Sequence, residues 1–278
     1  LALALLPVPL LFSRAWRVIV GFWVAMSALR LAQLARQHQR FTATEQVLLV
    51  ALLFDPREQA RRGRPTPPLQ LVLGLPLLAA TVVLFVLARA EAQPWLRWGE
   101  GTLAVLLGAS GLDRALRGAL SLGGIHYPPQ HRAPLGSRTL GEFWGRRWNR
   151  LVGGWLRDEL FRPLAHRGSP KLAAGVTFVV SALLHVYPIW LSAGARWAAL
   201  MGGFFVLHGG LYLLEHQLRV RRWPAASGRL FVWGCFFLTL PLFVEPLLQG
   251  LDGGGPPPRT AVQGHGEGQA RPPGRRGP

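Results

Sequence analysis

The stretch Gly141-Glu142-Phe143-Trp144-Gly145-Arg146-Arg147-Trp148-Asn149 decides how this chain is read. Three aromatic rings, three charges and an amide are crowded together, with hydrophobic spans on both sides. An Asn or Arg close to hydrocarbon costs free energy unless something pairs with it. The run is therefore either an interfacial anchor or part of a reaction chamber. Trp144 and Trp148, at i and i+4, would share a helix face with Arg147 between them, and an aromatic belt with snorkelling arginines accounts for that part. It does not account for Asn149.

Working outward, the apolar residues come in blocks near the roughly 20 residues needed to cross a bilayer. Residues 15–35 form one span, flanked by Arg14 and Arg36 and interrupted by Arg30. Further spans are 69–89, 100–118, 172–191, 196–215 and 229–249. Residues 46–54 are too short to cross and read as a half-span or interfacial helix. Residues 1–12 would reach only about 18 Å as a helix and read as the remainder of a span. The pattern predicts an all-α, polytopic integral membrane helix bundle of about seven or eight membrane segments, some of them short or interfacial. Residues 1–249 form a single domain. The Gly-, Pro- and Arg-rich tail 250–278 cannot bury a core and is expected to be disordered.

The formal charge of +18 would point to nucleic acid in a soluble protein. Here the arginines sit between apolar blocks, in 55–68, 119–171 and 216–228, whereas 90–99 and 192–195 are nearly neutral. That is the positive-inside pattern, and it excludes nucleic acid as the main partner in favour of membrane lipids. It places the three basic loops in the cytoplasm, and the composition fits a multi-pass protein of a bacterial cytoplasmic membrane. The segment 119–171 interleaves Trp, Leu and Phe with charge and is expected to lie at the membrane surface. Cys235 is the only cysteine, so no intramolecular disulfide forms. No P-loop, Rossmann fingerprint, HExxH helix or other metal spacing is present.

Two further spans carry candidate chemistry. His185 lies well inside the span 172–191. A charged His is costly there, so a neutral, hydrogen-bonded ring is expected, which is also a suitable general base. Ser181, four residues earlier on the same face, would hold the ring. The plain alternative is a histidine bonded to a neighbouring helix. In the next span His208, Tyr212 and Glu215 share a face that must look into the bundle or a cavity. Glu215 could instead be solvated or paired with Arg219.

Four segments in order resemble the wax synthase-like branch of the membrane-bound O-acyltransferases. They are His131-Arg132-Ala133-Pro134 with Ser137-Arg138-Thr139-Leu140, then Glu142 to Asn149, then Val179 to His185, and then Phe204 to Gly209 with Glu215 after it. The similarity covers about residues 120–216. It implies acyl transfer from acyl-CoA to the hydroxyl of a lipophilic alcohol inside a membrane chamber, with a wax ester as the archetypal product. The family histidine falls on His185, as general base, and the second motif residue falls on Asn149, positioning substrate or stabilising developing charge. Trp144, Arg146, Arg147, Trp148, Ser181, His208, Tyr212 and Glu215 are the expected substrate-binding residues. Acyl-CoA is a co-substrate, and neither a cofactor nor a metal is implied. The basic segment 119–171 would attract the CoA phosphates. Two other readings stay open: a transporter whose intramembrane His and Glu relay protons, and a non-catalytic membrane scaffold. Oligomeric state is not readable from the sequence.

Overall fold

The computed structural model describes residues 7, 10, 12–37, 41–51, 53 and 66–252. The expectations for residues 1–12, for most of the basic loop 55–68 and for nearly all of the tail 250–278 lie outside them.

Among the described residues the chain is entirely helical. Helix α1 is Arg14–Gln37, α2 is Ala43–Ala51, α3 is Leu69–Ala90 and α4 is Pro94–Leu122. A 3-10 turn at Pro134–Gly136 precedes the short α5, Leu140–Glu142, which continues as a π-helical turn over Phe143–Arg147. Helix α6, Arg150–Trp155, runs into a second π turn, Leu156–Phe161, and then α7, Arg162–Arg167. The last three are α8, Pro170–Ala193, α9, Ala195–Gln217, and α10, Ala225–Gly250. Their starts follow local chemistry. Proline occupies the first turn of α4 and α8, where its missing N–H costs nothing, and the Ser169 hydroxyl accepts the Lys171 N–H.

Among the described residues five helices, α1, α3, α8, α9 and α10, are long and apolar enough to cross a membrane. Helix α4 is longer, at 29 residues, but carries Arg97, Glu100, Asp113, Arg114 and Arg117. It packs on α3 along a seam of small residues. A Cβ added at Gly74 would stand 2.6 Å from the Ala115 nitrogen, one at Gly111 2.9 Å from Leu77 Cβ, and one at Gly118 would fall on the Leu71 nitrogen. Apolar side chains gain little by leaving lipid for one another, so close backbone approach through small residues is what joins such helices. The expected half-span 46–54 is the short helix α2.

The same contacts fix helix direction. Gly74 with Ala115 and Leu71 with Gly118 make α3 and α4 antiparallel. Gly202 against Val186 and Gly209 against Phe178 do the same for α8 and α9, which turn at Gly194 with φ 90°. Phe22 beside His185, with Arg17 Nη1 donating to the Leu191 carbonyl at 3.1 Å, sets α1 antiparallel to α8. His208 bonded to Thr239, with Phe204 beside Phe243, sets α10 antiparallel to α9. Residues 66–68, 123–169 and 218–224 therefore gather at one end of the bundle, and 91–93 and 194 at the other. This is the sidedness that the basic loops predict. The neutral end is tied by Arg97, whose Nε and Nη2 donate to the two oxygens of Glu245 at 2.8 and 3.2 Å.

One expectation fails here. The segment 119–171 does not all lie on a surface. Its part from Leu140 to Asn149 enters the bundle, because Trp144 bonds His208, two helical turns deeper along α9 than Glu215, which bonds Leu140. At 1.5 Å per residue that is about 10 Å of depth.

Candidate active site

The site is built on three polar groups of α9. Glu215, 4% exposed, accepts the backbone N–H groups of Leu140 and, at 3.2 Å, Gly141. These are first-turn donors that a helix cannot satisfy itself, and a carboxylate is well matched to them. Thr139 adds its hydroxyl as acceptor for the Glu142 N–H at 2.9 Å. Tyr212 packs on Gly141, where an added Cβ would lie 3.1 Å from Tyr212 Cε2. His208, fully buried, accepts the Trp144 indole N–H at Nδ1, 3.2 Å away. The shared face predicted for His208, Tyr212 and Glu215 therefore does look inward, and what it holds is the segment 140–144. Glu215 is neither solvated nor paired with Arg219, because its oxygens are used by that backbone.

The π turn then sets the register. The Trp148 N–H donates to the Phe143 carbonyl at 2.9 Å, an i to i+5 bond. Phe143 and Trp148 consequently stack, with centroids 5.7 Å apart and planes 14° from parallel. Trp144 and Trp148 do not share a helix face, contrary to the i, i+4 expectation. Trp144 is no interfacial belt residue either. Its ring contacts Phe204, Phe205, His208 and Phe236 inside the bundle.

Asn149 follows at φ 37°, ψ 64°, and its side-chain oxygen accepts the Val152 N–H at 3.4 Å to cap α6. Asn is among the few residues that adopt the left-handed region readily, and it is also a favoured N-cap. The backbone thus supplies a structural reason for Asn149 that the sequence did not reveal. With Oδ1 turned to Val152, the NH2 group remains as a donor.

His185, on α8, is bonded at Nδ1 to the Ser181 carbonyl at 2.7 Å. Ser181 is thus the residue that holds the ring, through its backbone carbonyl. A carbonyl only accepts, so Nδ1 carries the proton and the neutral ring keeps its lone pair on Nε2. The ring lies between Phe205, 4.0 Å away by centroids, and Phe22 at 5.6 Å.

Trp144, Trp148, Asn149, Ser181, His185 and Tyr212 all line one cavity of about 680 Å³. That is the size of a small-molecule site. Its walls are mainly apolar and aromatic, with Phe143, Phe178, Phe205, Trp233 and Phe236 among them. Among the described residues that line it, Arg157 is the only one with a permanent charge, and its Nη1 donates to the Gly145 carbonyl at 3.5 Å.

Residues 127–207 match the family described as membrane bound O-acyl transferase. That stretch contains the whole run 141–149 together with His185. Over that stretch the chain is similar to the membrane-bound O-acyltransferases, and the relatives it matches include long-chain-alcohol O-fatty-acyltransferases. It is 31% identical over 141 residues to the probable long-chain-alcohol O-fatty-acyltransferase 9 of Arabidopsis thaliana, covering 45% of this chain and 41% of that protein. It is 34% identical over 114 residues to the long-chain-alcohol O-fatty-acyltransferase of Simmondsia chinensis, covering 38% and 31%. It is 33% identical over 102 residues to the acyl-CoA--sterol O-acyltransferase 1 of Arabidopsis thaliana, covering 34% and 30%. The chain spans less than half the length of each of these relatives. All three are plant proteins, which lends nothing to the expectation of a bacterial membrane.

Four of the expected binding residues stand away from the cavity. Arg147 donates through Nε and Nη2 to Glu142 Oε1 at 2.8 and 2.6 Å, and through Nη1 to the Ala133 carbonyl at 2.9 Å, so it staples the loop behind the motif. Arg146 is exposed on the outer side of the π turn. His208 and Glu215 are used in docking the segment. Conversely, Arg157, Thr177, Phe178, Trp233 and Phe236 line the cavity and were not anticipated. The aromatic clustering of Phe231, Trp233, Phe236 and Phe237 was the available signal, although in a membrane helix such clustering also serves lipid contact. His131 packs edge-on against Trp148 at 4.7 Å, and its Nδ1 is buried without a hydrogen-bond partner. Burial draws its pKa below the ordinary histidine value despite the opposing charge of Asp113.

Proposed function

We propose that this chain is part of a multi-pass membrane enzyme that moves an acyl group from acyl-CoA to the hydroxyl of a lipophilic alcohol. The observation that carries the reading is that His185, with its lone pair directed to Nε2 by the Ser181 carbonyl, and Asn149, with a free amide donor, face one apolar cavity. In this reading Nε2 takes the proton of the alcohol as its oxygen attacks the thioester carbonyl. The Asn149 NH2 steadies the negative charge that develops there. When the tetrahedral intermediate collapses the C–S bond breaks, and the CoA thiolate leaves with the proton that His185 gives back. No acyl-enzyme is formed, and acyl-CoA is a co-substrate, so no resident cofactor is invoked. Arg157, in the cavity wall at the basic end of the bundle, is the cation best placed for the anionic end of the donor.

The alternative was a transporter in which intramembrane His and Glu relay protons, and His208 and Glu215 are the pair on one helix. Both are held in fixed hydrogen bonds with the motif segment, which favours acyl transfer over a relay. Membranes containing the protein, supplied with labelled acyl-CoA and a panel of long-chain alcohols and sterols, should yield ester and free CoA in equal amounts. Replacing His185 by Gln should lower the rate roughly 100- to 10,000-fold. Absence of ester with every acceptor, or an undiminished His185→Gln rate, would sink this reading.

A further inference from the structure

His208 touches no part of the cavity, yet each of its polar atoms is committed. The indole N–H of Trp144 can only donate, so Nδ1 of His208 accepts at 3.2 Å. On the other side Nε2 lies 2.9 Å from Thr239 Oγ1. The Thr239 hydroxyl has one proton, and it donates it back to its own helix, to the carbonyls of Cys235 at 2.8 Å and Phe236 at 3.2 Å. Its lone pair therefore faces His208, and Nε2 must carry the imidazole proton. Two independent constraints select the same tautomer. The chain of donors runs one way, from Trp144 through His208 and Thr239 to the α10 backbone.

At the other end, Trp144 lines the cavity and contacts Phe205, with centroids 5.8 Å apart. Phe205 in turn is the plate against which the His185 ring rests. A rotation of the indole would move Phe205, and with it the direction of the His185 lone pair. Reacting groups misplaced by about 1 Å lose on the order of 100-fold in rate.

We propose that His208 is a positioning residue: through Trp144 and Phe205, with Thr239 fixing its tautomer, it sets the orientation of His185 in the cavity. This rests on the acyl-transfer reading above, and the test separates the two. Steady-state ester formation is measured for wild type, Thr239→Val, Thr239→Ser and Trp144→Phe, with acyl-CoA varied at a saturating alcohol. Thr239→Val keeps shape and removes the acceptor, and Trp144→Phe keeps a ring and removes the N–H. Both should lower kcat about ten- to a hundredfold with KM for acyl-CoA changed less than about twofold. Thr239→Ser, which restores the hydroxyl, should retain the wild-type rate.

If wild type makes ester and both Thr239→Val and Trp144→Phe keep its kcat, the positioning role is wrong and acyl transfer stands. The positioning role is equally wrong if Thr239→Ser falls as far as Thr239→Val. If wild type makes no ester, the functional reading falls. The positioning role is then read from imidazole 15N resonances of the protein in lipid nanodiscs, with His185 assigned through His185→Gln. In wild type the ring should show a single Nδ1–H tautomer, and in Thr239→Val or Trp144→Phe a mixture. A His185 signal unchanged in both variants overturns the proposal.

Discussion

Glu215 and Leu140 are joined by a hydrogen bond that runs from the last turns of one membrane helix to the first turn of the segment carrying the cavity wall. The same carboxylate takes the Gly141 N–H, so a single side chain closes the open end of that segment. Glu215→Ala leaves the buried Leu140 N–H without an acceptor, at about 1–3 kcal/mol, and the partly buried Gly141 N–H at less. Glu215→Gln keeps an oxygen for one of them and should lose less. Thermal midpoints of the purified protein in detergent check this ordering. An Ala variant as stable as the Gln variant would show that the cap is not what holds the segment.

Asn149 has two separable duties, capping α6 in a left-handed conformation and offering an NH2 group to the cavity. Asn149→Asp keeps the acceptor and a residue type tolerant of φ 37°, but has no amide donor. Asn149→Gly tolerates the backbone and costs only a few tenths of a kcal/mol as an N-cap. Both should remain folded while ester formation drops on the order of 100- to 1,000-fold, the usual effect of removing one donor to a developing oxyanion. Retained activity in either variant would reduce Asn149 to its capping duty.

The Glu142–Arg147 pair predicts a pH signature at the basic end of the bundle. Burial by itself would raise the Glu142 pKa. The Arg138 N–H at 2.8 Å and the hydrogen-bonded charge of Arg147 outweigh it, and the net shift is downward. A carboxylate depressed in the folded state adds stability above its unfolded pKa, near 4.3, and that contribution fades as the pH falls through the lower folded value. The thermal midpoint of wild type should therefore exceed that of Glu142→Gln at neutral pH, and the gap should close on acidification below about pH 4. A gap that widens in acid contradicts the assignment.

Gly118 tests the α3–α4 seam without touching the cavity. Its Cβ would meet the backbone of Leu71, which cannot swing aside as a flexible side chain would. Gly118→Ala should destabilise by about 1–3 kcal/mol, the usual cost of overpacking. Any ester formed by the surviving folded fraction should keep the wild-type KM for acyl-CoA.

Hydrophobic block length and the placement of arginine were enough to foretell an all-helical membrane bundle with alternating sides, because crossing a bilayer constrains composition so strongly. Asn149 and His185 were also visible, as polar residues in apolar surroundings, and both line the cavity. What escaped was register. Nothing in Phe143 to Arg147 advertises a helix that opens to an i+5 pattern, so the sequence leaves Trp144 between an interfacial belt and the binding site, and it lies among Phe204, Phe205 and Phe236. Arg147 looked like a ligand for a substrate because a sequence shows charges but not the pairing between them, here with Glu142. The left-handed bend at Asn149 was hidden for a similar reason. Sequence records that a residue tolerates a conformation, and only the backbone shows that it uses it.

The wide turn at 143–147 also acts as a gear between two stretches of chain. Each residue of an α-helix advances the side-chain direction by about 100°. Wound as an ordinary helix, the same residues would turn everything that follows by most of that angle relative to Trp144. The indole would stay locked to His208 while Asn149 swung off the wall it shares with His185. The wide turn thus aims two residues, five apart in sequence, at one wall.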